Sequence, residues 1–87
     1  MENLKICLDG IELACVPVGA FSIGELAREV VWRGEGIEIL ASVCNETLSL
    51  QILCEGESVL VFAGKVTAPV TFECKVPEGK KLTLNLH

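Results

Sequence analysis

Apolar residues in this chain recur at every second position, run after run, and pairs of turn-forming residues separate the runs. A two-residue apolar period marks strands with one buried face, because successive side chains of an extended chain point to opposite sides. Leu4, Ile6 and Leu8 alternate with Lys5, Cys7 and Asp9, and after Asp9-Gly10 the pattern resumes as Ile11, Leu13 and Cys15. Asp-Gly between two such runs is a strong hairpin signal, since both residues tolerate the positive φ of a type I′ turn. Strands are therefore expected over 3–9 and 11–18, with Pro17 and Gly19 ending the second.

The same grammar returns from Gly36 onward. Ile37, Ile39, Ala41 and Val43 predict a strand over 37–44, turned by Asn45-Glu46. Leu48, Leu50, Ile52 and Cys54 predict the next, over 48–54, turned by Glu55-Gly56-Glu57. Val59 to Ala63 is apolar without a break, as expected of a strand covered on both faces, and Gly64 closes it. Val70, Phe72, Cys74 and Val76 predict a strand over 70–76, Pro77-Glu-Gly79 a turn, and Leu82, Leu84 and Leu86 the last strand.

Between these blocks the period changes. Ser22-Ile-Gly-Glu25 has the form of a helix capping box, and Ile23, Leu26, Ala27, Val30 and Val31 make one helical stripe opposite Glu25, Arg28 and Glu29. A short helix is expected over 23–33, stopped by Gly34. The β-branched valines support a rival, a strand through Glu29-Val-Val-Trp32 hairpinned to its successor by Gly34-Glu-Gly36. The expected fold class is mainly β (α+β), an antiparallel β-sandwich or barrel of about seven strands with an N-terminal hairpin and one short helix.

Eighty-seven residues are expected to make a single domain, 1–87. Hydrophobic residues make up 51% of them, an excess for so short a chain, and the surplus predicts an apolar face covered by another copy or a partner. The formal charge is −5, with the seven basic residues scattered, so no basic stripe exists to displace counterions from phosphates and nucleic acid is not an expected partner. No apolar run approaches the length of a membrane span and the opening residues do not read as a secretory signal, so the expected location is cytoplasmic.

Chemistry-bearing residues are few. The five cysteines, Cys7, Cys15, Cys44, Cys54 and Cys74, are odd in number and contain no Cys-x-x-Cys pair, which favours reduced thiols acting as small hydrophobes over a disulfide framework. His87, the one histidine, is the last residue and reads as a frayed end or cloning remnant, leaving no base for a Cys–His or Ser–His scheme. Asp9 is the one aspartate and belongs to a turn, and most glutamates fall on solvent faces. Gly34-Glu-Gly36 is a turn lacking the rest of any nucleotide fingerprint. Asn45-Glu-Thr47 matches a glycosylation acceptor, read here as chance.

Residues 3–33, with a hairpin, a Ser-initiated helix and a Gly stop, resemble the opening of ubiquitin-like β-grasp domains, and Leu60-Val-Phe-Ala-Gly-Lys65 adds to the likeness. That resemblance implies a first strand paired in parallel with the last. The family's carriers act through a C-terminal Gly-Gly, whereas this chain ends Leu84-Asn-Leu-His87, so conjugation and sulfur transfer are not implied. Val43-Cys-Asn45, Glu55-Gly-Glu57 and the stretch from Thr71 to Gly79 look like the strand rhythm of immunoglobulin-like or fibronectin-like modules. The function expected from all this is a non-catalytic binding or assembly module acting through an apolar sheet face or edge strand. Its expected partner is a protein or a copy of itself, as a homo-oligomer; Trp32, Leu40, Leu60 and Phe62 are the expected contact residues, and no cofactor is expected. Two alternatives stand beside it: a metal or redox protein built on the five cysteines, and a ubiquitin-like adaptor without a conjugatable tail.

Overall fold

The computed structural model describes residues 2–21, 28–67 and 69–87. Eight strands follow in chain order: β1 (Asn3–Leu8), β2 (Ile11–Pro17), β3 (Glu29–Gly34), β4 (Ile37–Cys44), β5 (Thr47–Cys54), β6 (Glu57–Lys65), β7 (Val70–Val76) and β8 (Lys80–Leu86). They form two four-stranded sheets, ordered β2-β1-β8-β7 and β3-β4-β5-β6, in which every ladder is antiparallel. Five ladders join strands consecutive in sequence; the sixth, β1 with β8, brings the two chain ends together. The arrangement is compatible with a sandwich, with up-and-down neighbours rather than Greek-key crossings.

Alternation decides which side chains face inward. Leu4, Ile6 and Leu8 of β1 and Leu82, Leu84 and Leu86 of β8 meet Ile37, Ile39 and Ala41 of β4 and Leu48, Leu50 and Ile52 of β5. These four inner strands supply nearly all the fully buried side chains, each worth about 1.5–3 kcal/mol of transfer free energy. Val18 and Phe21, in and after a 3-10 turn at Val18–Ala20, close the core from β2 onward, and the rings of Phe62 and Phe72 meet at 5.0 Å between the two sheets.

The two-residue turns share one backbone, the one expected for Asp9-Gly10. Asp9 and Gly10 lie at φ 49° and 82°, Glu35 and Gly36 at 54° and 75°, Asn45 and Glu46 at 47° and 66°, and Glu55 and Gly56 at 50° and 85°. Paired positive φ is the mark of a type I′ turn, whose twist matches that of the flanking strands. Asp9 contributes more than its turn: its carboxylate accepts from the backbone N–H of Lys81 at 2.8 Å while its own N–H donates to the Lys81 carbonyl at 2.9 Å. Glu46 is the one second turn position not held by glycine, and an L side chain there costs about 1 kcal/mol or more. Glu46→Gly is expected to raise stability by about 0.5–1 kcal/mol after the extra freedom glycine gives the unfolded chain. A chemical-denaturation midpoint checks this, and a fall in midpoint would contradict the turn assignment.

Four expectations need correction. The helix over 23–33 is overturned where it can be compared, because Glu29–Gly34 is strand β3, paired with β4; residues 22–27 lie outside those described. β3 carries a bulge between Val30 and Trp32, so Val30 faces outward with Leu40 while Trp32 faces inward with Ile39. Helical geometry among the described residues is limited to the 3-10 turn at Val18–Ala20, because Glu78 and Gly79 in the turn at Pro77–Gly79 lie at φ 73° and 74°. Gly34 is no helix stop; a Cβ there would sit 2.8 Å from Trp32 Cζ2, so the glycine leaves room for the indole on the same strand face. The β-grasp likeness fails on strand direction, since β1 and β8 run antiparallel. His87 is not frayed at its backbone: its N–H donates to Asn3 and its carbonyl accepts from Glu2 and Asn3, at 2.7–3.1 Å.

Candidate interaction face

The sandwich has two outer faces of opposite chemistry. On the β2-β1-β8-β7 sheet, odd-numbered positions of β1, β7 and β8 point outward, and all but Cys7 are polar; Ile11, 68% exposed, is an isolated apolar residue at the start of edge strand β2. Lys5 pairs with Glu12 at 3.3 Å, Lys81 with Glu73 at 3.2 Å, and the Thr71 hydroxyl donates to Asn85 Oδ1 at 2.8 Å. Exposed pairs of this kind contribute less than about 1 kcal/mol each, so they mark a solvated surface rather than a source of stability.

On the β3-β4-β5-β6 sheet the outward row Val30, Leu40, Gln51 and Val61 crosses all four strands in register. Val30 and Val61 are 42% and 60% exposed, and Val59, taken up by a bulge opposite Leu53, is 37% exposed. Leu40 and Leu53 lie half-buried between them. The row spans roughly 14 Å across the strands at their usual spacing. It is bounded on one side by the Arg33–Glu38 pair at 3.3 Å and on the other by Ser42, where the face closes and the side chain is buried.

Of the four contact residues expected from the sequence, Leu40 lies on this face. Trp32, Leu60 and Phe62 turn the other way, half-buried against the core. Sequence reasoning missed Val30, Val59 and Val61. The signal was present in the unbroken apolar run from Val59 to Ala63, read as a strand covered on both faces; β6, which also runs on through Gly64 to Lys65, is covered on one face by this chain.

The cysteines separate into two environments. Cys54 is buried and Cys74 half-buried, both in the core, whereas on the polar sheet Cys15 is exposed and Cys7 half-buried; Cys44 is half-buried at the end of β4. Burial, with the nearby Glu55 carboxylate adding to it, pushes the Cys54 thiol pKa up, and burial together with Cys54 does the same to Cys74. A thiol shifted this way stays protonated at neutral pH, the reverse of an activated nucleophile. Cys54 borders an open groove of about 220 Å³ at the turn end of the sandwich, where Glu35, Glu55, Glu78 and Lys80 surround Leu8, Ile37 and Val76. Among the described residues, no three His, Cys, Asp or Glu side chains are grouped to hold a metal ion, and no helix is long and apolar enough to cross a membrane.

Comparison with known protein families, with curated proteins and with solved structures gave no significant match.

Proposed function

We propose that this chain is a non-catalytic binding or assembly module whose contact surface is the outer face of the β3-β4-β5-β6 sheet together with its β6 edge. The observation that carries this reading is the in-register row Val30, Leu40, Gln51 and Val61, apolar at three of its four positions and open to solvent at both ends. Contiguous outward apolar area costs hydration free energy unless a partner covers it, and the opposite sheet demonstrates that the same fold tolerates a charged outer face. The two core thiols, held protonated, give no support to a reading built on cysteine chemistry.

Site-specific photo-crosslinking tests the proposal. A photoreactive side chain placed at Val30 is expected to give discrete adducts in an extract of the native host, and the same group at Thr71 on the polar sheet is expected to give several-fold fewer. Val61→Glu should reduce the Val30 adducts without unfolding the chain, because position 61 is 60% exposed. Equal labelling at both positions, or none at Val30, would remove the reading.

A further inference from the structure

A sheet edge is a row of unpaired N–H and C=O groups, and folded proteins blunt such edges with charges, prolines and bulges. Among the described residues four strands lie at sheet edges, β2, β3, β6 and β7. Three carry interior blunting residues: Glu12 on β2, which also ends in Pro17, Arg33 on β3, and Glu73 and Lys75 on β7. The fourth, β6, is the longest strand among the described residues, and from Ser58 to Gly64 it has neither charge nor proline, its one blunting feature being the bulge at Ser58 and Val59. Its charges sit at the ends: Glu57, beside Glu55 in the β5–β6 turn, and Lys65 at the far end.

We infer that the β6 edge is the pairing strand of a symmetric dimer, in which a second copy of this chain adds its own β6 antiparallel about a two-fold axis at Val61. This deepens the function proposed above and rests on it. The commitment to a second copy comes from self-complementarity. With Val61 opposite Val61, Leu60 lies opposite Phe62 of the other copy. The two-residue bulge at Ser58 and Val59 then spans Ala63 of the other copy, two residues against one as bulges do. This register brings Lys65 of each copy beside the acidic Glu55-Gly56-Glu57 turn of the other, so both ends of the strand meet opposite charge. The operator preserves sheet faces, so the apolar rows of both copies join across an eight-stranded sheet and double the width of the contact face.

Edge pairing of one strand buries less than the area of a standard interface, so dimerisation is expected to be transient, with a Kd of roughly 10–100 µM at low salt. Sedimentation velocity across that range is the test, with circular dichroism confirming each variant's fold. Lys65→Glu sets a like charge against the acidic turn at both ends and is expected to weaken association roughly ten-fold; Glu57→Lys alone weakens it too, and the double swap Glu57→Lys/Lys65→Glu recovers most of the loss. Val61→Lys places two ammonium groups across the axis and is expected to abolish the dimer. Association that ignores all four variants would overturn the β6 geometry, and a monomer at about 1 mM would overturn self-pairing altogether. Either result leaves the Val30 crosslinking to decide the broader reading: adducts with a foreign protein keep the interaction module without the dimer, and their absence removes both.

Discussion

Leu84→Ala is expected to cost about 3–4 kcal/mol and to lower the melting temperature by roughly 12–32 °C, at the 4–8 °C per kcal/mol typical of a domain this size. Leu84 is fully buried at the middle of β8, opposite Ile6 on one side and Phe72 on the other, beneath the core strands of the facing sheet. The cavity it leaves has rigid walls, because its neighbours belong to hydrogen-bonded ladders on both sides and cannot collapse into the space. Thr83, the next residue, faces outward, and Thr83→Ala is expected to shift stability by less than about 0.5 kcal/mol. Urea denaturation of the pair measures the contrast. A Leu84→Ala loss under about 1 kcal/mol would mean that the two sheets do not close on one another as described.

The second large effect concerns the thiols. Under native conditions near neutral pH, Cys15 is expected to react first with a thiol-specific reagent and Cys54 at least about ten-fold more slowly, because Cys54 keeps only 4% of its surface exposed, at the border of the open groove, and its thiol is held protonated. Peptide mapping by mass spectrometry assigns the order, and comparable rates at both positions would contradict the burial of β5's last residue. Alkaline stability follows from the same two core thiols. The folded state holds their protons more tightly than the unfolded state does. Their stabilising contribution is therefore complete below the ordinary thiol pKa of about 8.5 and is lost as pH rises through the higher folded values. The denaturation midpoint should fall as pH rises above the ordinary thiol pKa, and less steeply in Cys54→Ala/Cys74→Ala. Parallel pH profiles for the two proteins would show that these groups do not carry the dependence.

How far the residues announced this structure depends on whether the information was local. Asp9-Gly10 and Glu55-Gly56 were legible because glycine at the second position meets the demand for positive φ, and Asn45-Glu46 because Asn and the flanking alternation mark a turn between two strands. Residues 29–34 were legible in part. The spacing of Val30 and Val31 fits a helix, the β-branched side chains fit a strand, and the choice fell to pairing with β4, a contact that periodicity alone does not contain. The contact face divided the same way. Leu40 stood out as a large apolar residue between polar positions, whereas Val61 sat inside an unbroken apolar run whose two faces look equivalent until the core claims one of them.

Local pattern set the strands other than β3, most of their turns, and the oily side of each strand except β6, since each depends on residues within a few positions of one another. The tertiary structure alone decided that β1 pairs with β8, that β6 lies at an edge, and that Val30, Leu40 and Val61 fall into one row on an uncovered face. Those are relations between segments tens of residues apart, set by which faces bury each other best when the whole chain closes on its core, and no local pattern encodes them.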